Sequence, residues 1–138
     1  MTNEGNGVGK HEGIAVFVPF TVIGDVIECR IVKVCKTYCY GIIENIVSGS
    51  VERTNNDCPV YSRCGGCFFR HMSYEEECRV KEQFIKDSFE RIGKLYPEYD
   101  SFEGCKQLVG YRNKAQYPVA EQDGRAVCGF YSRRSHHV

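Results

Sequence analysis

Three cysteines stand close enough in the sequence to act on one centre: Cys58, then five residues, then Cys64-Gly65-Gly66-Cys67. Two thiolates separated by two residues can grip one metal centre because the chain folds back over the gap. Gly65 and Gly66 are expected to let that turn adopt positive φ and aim backbone N–H groups at bound sulfur. Pro59 stiffens the return from Cys58. Soft thiolates select zinc or an iron–sulfur cluster over hard cations. His71, separated from Cys67 by three residues, would complete a Cys3His zinc set. Phe68 and Phe69 beside the site would instead supply the solvent shielding that a cluster needs. Spacing alone leaves these two readings level, with three unliganded loop thiols as the third.

The other six cysteines, Cys29, Cys35, Cys39, Cys78, Cys105 and Cys128, are scattered and read as small buried hydrophobes. Nine cysteines in 138 residues is an odd count. With neither the basic start nor the apolar core of an export signal in the N-terminal segment, metal binding in a reducing compartment is favoured over a disulfide framework. A cytoplasmic location is therefore expected. No apolar run is long enough for a membrane span. The formal net charge is zero, which excludes a uniformly basic coat and an acidic tail. Charge is nonetheless uneven. Between residues 106 and 138, Lys106, Arg112, Lys114, Arg125, Arg133 and Arg134 face only Glu121 and Asp123, a local balance of +4. Aromatic rings interleave with these cations, a pattern suited to phosphates and unstacked bases. Arg112, Lys114, Arg133 and Arg134 are the candidate phosphate contacts, with Tyr111 or Phe130 as stacking faces.

Short β-rich runs precede the cysteine loop. Ile14–Val18 is stopped by Pro19, residues 25–34 alternate, and residues 38–47 carry Gly41 as a bulge or close approach. Gly5, Gly7, Gly9, Gly13 and Gly24 are read as turn residues. Several strands and no helix in about 45 residues suggest a small barrel, usually a binding module. A helix should begin after the loop, where Ser73 and Glu76 form a capping-box pattern and Glu75–Glu77 place negative charge on the first turn. Tyr74, Cys78, Ile85, Phe89, Ile92 and Tyr96 recur at helical spacing, widened by Phe84 and Leu95, and Gly93 and Pro97 mark the stop. Residues 114–119 and 126–131 should then pair across Gln122-Asp123-Gly124. The fold class is thus mainly β with one long helix (α+β).

Several segments in order resemble the RNA (uracil-5-)-methyltransferase family. The run Cys58-Pro59-Val60-Tyr61-Ser62-Arg63-Cys64-Gly65-Gly66-Cys67-Phe68-Phe69-Arg70-His71-Met72-Ser73-Tyr74-Glu75 is similar to its cluster motif. Gly110-Tyr111-Arg112-Asn113-Lys114-Ala115 and Gly129-Phe130-Tyr131-Ser132-Arg133-Arg134-Ser135-His136 resemble two later motifs. Upstream, Gly5-x-Gly7-Val8-Gly9 with Val16-Phe17-Val18-Pro19 and Gly24-Asp25 is similar to a TRAM domain, an OB-like RNA-binding barrel. The resemblance spans nearly the whole chain. It implies a TRAM-like barrel over 1–52, a [4Fe–4S] loop over 53–72 held by Cys58, Cys64 and Cys67, and a helix with the start of a central β region over 73–138.

The resemblance further implies an enzyme that uses S-adenosyl-L-methionine to methylate carbon-5 of uracil, most closely in 23S ribosomal RNA. Three departures stand out. The family's fourth cluster cysteine follows the Ser-His segment and is not in this chain, leaving Cys128 or Cys105 as substitutes. Its usual Gln-Leu is Glu77-Cys78 here, and its first TRAM strand is missing. The chain is accordingly expected to be a piece broken at both ends, with no catalytic residue and no cofactor site for the methyl donor, and to transfer no methyl group alone. A stand-alone zinc-knuckle RNA-binding module is the alternative, and an iron–sulfur electron carrier a third reading.

Overall fold

The computed structural model describes residues 1–138. They form two compact units, residues 1–55 with 68–102, and residues 56–67 with 103–138. The helix therefore groups with the first strands rather than with the β region that follows it.

The first unit is built on a four-stranded sheet of β1 (Asn6–His11), β2 (Ile14–Pro19), β3 (Val26–Val34) and β4 (Tyr38–Ser48), in the spatial order β1-β2-β4-β3. β1 and β2 form a hairpin whose turn, Glu12-Gly13, has φ of 48° and 82°, the mirror-image geometry that fits strand twist. β2 runs parallel to β4, and β3 antiparallel to it. The glycine-rich start is thus largely a strand. Gly7 and Gly9 lie within β1, whereas Gly5, Gly13 and Gly24 take positive φ in turns. Gly7 is there for clearance: a Cβ on it would stand 1.9 Å from Thr21 Oγ1. Gly41 is the expected close approach, since a Cβ there would meet Cys29 Sγ at 2.3 Å, and the β3–β4 register slips beside it.

Alternation places Val16, Val18, Ile27, Cys29, Ile31 and Cys39 on the inner side of the curled sheet. They line an open apolar groove of about 640 Å3 that also reaches β1. The buried apolar residues of this unit are Val18, Val22, Cys39, Met72 and Val80.

Parallel strands cannot be closed by a tight hairpin, so other contacts must fix their ends. Here a buried carboxylate does so. Asp25 accepts from Val22 N–H (2.6 Å), Ser50 N–H (2.9 Å), and Arg53 Nε and Nη2 (2.9 and 2.8 Å), while Arg53 Nη2 also donates to Phe20 O at 2.7 Å. The chain leaving β2 is thereby tied to the chain leaving β4. Burial pushes the Asp25 carboxyl up, but Arg53 and the two backbone N–H groups outweigh it and hold the group below its usual value.

The helix α1 (Tyr74–Asp87) starts at Ser73, whose Oγ accepts from Glu76 N–H at 3.1 Å. Only half of the capping box forms, because Ser73 N–H is taken by Glu52 O and the Glu76 carboxylate turns to Arg79. A π-helical turn, Ser88–Gly93, extends α1 and ends at Lys94 in the left-handed region. The expected apolar stripe is covered only at its start. Val80 is buried and Phe84 packs near Phe69, but Ile85, Phe89, Ile92, Leu95 and Tyr96 are exposed, Ile92 by 83%. Beyond the first turns the cover is sparse: Tyr99 meets the Phe89 ring edge-on and lies under Lys86 Nζ.

The second unit contains a short hairpin, β5 (Val119–Gln122) and β6 (Arg125–Cys128), joined through Asp123-Gly124 with φ of 52° and 74°. Both strands are shorter than expected, since residues 114–118 and 129–131 do not pair as a ladder. The turn residues set the register, and little apolar surface extends it.

Candidate metal centre and nucleic-acid residues

The cysteine loop belongs to the second unit and is shaped by local backbone bonds. Cys58 N–H donates to Asn56 Oδ1 at 3.0 Å, Tyr61 N–H to Cys58 O at 3.2 Å, and Cys64 N–H to Val60 O at 2.8 Å. Gly66 N–H then points back at Cys64 Sγ, 3.3 Å away. An N–H aimed at sulfur is a contact that a metal-bound sulfur can accept. The Gly66 N–H is aimed at sulfur as expected, but the expected positive φ is not the reason for the glycines. Neither Gly65 nor Gly66 has positive φ. Instead, a Cβ on Gly65 would lie 2.8 Å from Tyr131 O, and one on Gly66 would lie 3.2 Å from the Phe130 ring and 3.4 Å from Cys64 Sγ.

Residues 130–133 close over the loop. Gly65 N–H donates to Tyr131 O at 2.9 Å, Arg133 N–H to Arg63 O at 2.7 Å, and Cys64 bridges Ser132. The Arg133 guanidinium lies 5.2 Å from the centre of the Tyr61 ring and donates to Tyr61 O and Cys67 O. Tyr61, only 5% exposed, is the buried anchor of this assembly. Arg133 was expected to hold phosphate, yet its donors serve the cysteine loop.

Cys58 and Cys64 are half-buried and Cys67 is exposed. The three share one loop, but no three His, Cys, Asp or Glu side chains converge to metal-holding distance. The donor set and the Gly66 N–H on Cys64 Sγ fit a thiophilic centre. His71 is engaged elsewhere: it is 5% exposed, its Nε2 lies 3.0 Å from Thr21 O, and its ring meets Phe20 edge-on. Of the two possible substitute ligands, Cys105 donates its thiol to Gln107 O and Cys128 ends β6, both exposed. These two therefore depart from the buried-hydrophobe expectation, since loop and hairpin positions leave them uncovered. Cys39 is buried, and Cys29, Cys35 and Cys78 are half-buried.

Among the other candidate contacts, Arg112 lies over the Tyr111 and Phe130 rings at 5.8 and 5.9 Å, and Phe130 also meets Tyr117 edge-on at 5.2 Å. Lys114 and Arg134 are exposed, Arg134 in a left-handed turn at φ 58°. Sequence reasoning missed the Asp25–Arg53 network, because no local pattern links positions 28 apart.

A TRAM domain model matches residues 1–43, the span of β1, β2, β3 and the start of β4. The whole chain is 40% identical over 139 residues to an uncharacterized RNA methyltransferase of Halalkalibacterium halodurans, covering 30% of that protein. It is likewise 38% identical over 138 residues to one of Listeria monocytogenes serotype 4b and 40% identical to one of Caldanaerobacter subterraneus subsp. tengcongensis, again over 30% of each. Over its whole length the chain is thus similar to proteins named as RNA methyltransferases. It spans about a third of the length of these relatives. No helix in it is long and apolar enough to cross a membrane.

Proposed function

We propose that this chain is the RNA-recognising and [4Fe–4S]-holding part of an S-adenosyl-L-methionine-dependent 23S ribosomal RNA (uracil-5-)-methyltransferase of the cytoplasm. The carrying observation is the braced cysteine loop, with Gly66 N–H on Cys64 Sγ and Arg133 over Tyr61, in a chain similar throughout to RNA methyltransferases. Cys58, Cys64 and Cys67 would hold the cluster. When bound, it would supply cross-linking of the loop. The chain's own contribution is to bring the thiols onto one turn, exclude bulk at Gly65 and Gly66, and hold that turn against residues 130–133. Arg112, Lys114 and Arg134 remain the phosphate contacts of this reading, and methyl transfer itself belongs to the rest of the protein.

A zinc-knuckle module of the Cys3His type is disfavoured by the engagement of His71 with Thr21 O. Anaerobic reconstitution with iron and sulfide distinguishes the two. The proposal expects brown protein with broad visible absorption, lost in Cys64→Ser. Stoichiometric zinc with no iron uptake would refute it.

A further inference from the structure

Opposite the groove, the outer face of the four-stranded sheet carries an aromatic cluster of Phe17, Tyr38 and Tyr40. The three ring centroids stand 5.5 to 5.7 Å apart, two of the three pairs edge-on. Strand register explains the cluster. Val8, Phe17, Tyr40 and Lys33 are successive cross-strand partners, so they form one row across β1, β2, β4 and β3. The neighbouring row runs Lys10, Ala15 and Tyr38 and ends at Cys35, whose N–H donates to Tyr38 O. Because directly paired residues share a face, these side chains project together.

Three features fit an occupant of definite chemistry. All three rings are partly solvent-accessible, although apolar groups of this size ordinarily belong on the inner face. Lys10 and Lys33 flank them, and neither row contains a carboxylate. Ala15, between Lys10 and Tyr38, is the smallest side chain of its row. The Tyr38 phenol, hydrogen-bonded to Cys35 and next to Tyr40, is held above its ordinary value, so it keeps its proton and adds no negative charge. An aromatic cluster flanked by lysines, with no carboxylate in its two rows, suits an unpaired polynucleotide, whose bases offer π-faces and whose phosphates seek lysines.

We propose that Phe17, Tyr38 and Tyr40, with Lys10 and Lys33, form a second RNA surface that stacks unpaired bases. It rests on the RNA-binding reading above and adds the class of RNA recognised and the face that recognises it. The aromatic cluster supplies sequence-tolerant stacking, and the lysines fix the strand's path.

The test uses the 138-residue chain and a fluorescein-labelled 12-nucleotide oligouridylate, single-stranded or paired with oligoadenylate. The unaltered chain should prefer the single strand. Tyr40→Leu and Tyr38→Leu, chosen to keep apolar bulk, should each weaken binding about tenfold. Lys33→Gln should lower the log–log salt slope by about 0.7. As a second measurement that needs no variant, 5-iodouridine crosslinks should map to peptides of β2 or β4. No RNA binding by the unaltered chain would overturn both this inference and the RNA reading. Binding that survives both tyrosine changes, with crosslinks confined to residues 106–138, would overturn this inference alone. Concentration-dependent self-association that those changes abolish, with RNA affinity intact, would assign the face to a second copy and overturn it too.

Discussion

Replacing Arg53 with Met should destabilise the first unit more than any other single surface-reaching change in it. The Asp25 side chain is 2% exposed and that of Arg53 22%, so the pair is largely out of solvent. Met keeps an unbranched apolar stem in place of that of Arg53 but removes three donated bonds, two to Asp25 and one to Phe20 O. The carboxylate would then stay buried with only Val22 and Ser50 N–H as partners. Breaking a buried pair from one side costs about 3–5 kcal/mol. The two remaining N–H bonds place Arg53→Met near the lower end, about 3 kcal/mol, or more than a hundredfold in the folding equilibrium. Urea unfolding followed by circular dichroism reads this as a lower midpoint at unchanged slope. The pH dependence gives an independent check. Because the folded-state pKa of Asp25 lies below the unfolded value, its contribution is present above about pH 4 and is lost as pH falls through the folded value. In Arg53→Met the carboxyl loses its cation while its burial remains, so that acid-side loss should shrink or reverse. A variant within about 0.5 kcal/mol of the parent, with the same acid-side slope, would refute the reasoning.

Gly65→Ala should destabilise the cysteine loop by about 1–3 kcal/mol, because the new methyl meets a backbone carbonyl, Tyr131 O, rather than a yielding side chain. Reduced thermal stability of the second unit, without change in the first, checks it. Arg133→Met should open the loop about tenfold more often by removing the guanidinium bonds to Tyr61 O and Cys67 O. Faster amide exchange over residues 63–67 and faster maleimide labelling of Cys64 are the readouts, and unchanged rates would return Arg133 to the set of phosphate contacts.

Local pattern in the sequence was enough for β2, β3, β4, the Ser73 cap and the Asp123-Gly124 hairpin turn. Each depends on alternation, capping or turn chemistry within about ten residues, where side-chain period and backbone geometry are directly linked. What lay beyond that reach was decided by packing. β1 was hidden because its glycines mimic turns, and only the approach of Thr21 shows why a strand needs Gly7 there. The helical stripe holds as a period only for Tyr74, Cys78, Phe84 and Ile85, since Phe89 and Ile92 fall in the π-helical turn and Leu95 and Tyr96 beyond it, and burial requires a covering partner that periodicity does not supply. Charge composition marked Arg133 as a phosphate contact, and the fold turned it onto the carbonyls of Tyr61 and Cys67, more than 60 residues away. His71 looked like a zinc ligand by spacing, and Thr21 O took its ring nitrogen. The aromatic face arose in the same way: Phe17 is 21 residues from Tyr38, and only the parallel pairing of β2 with β4 places their rings together. Short-range rules determine which conformation a segment prefers, whereas the partner of a charged, aromatic or thiol side chain is settled by which distant segment packs against it.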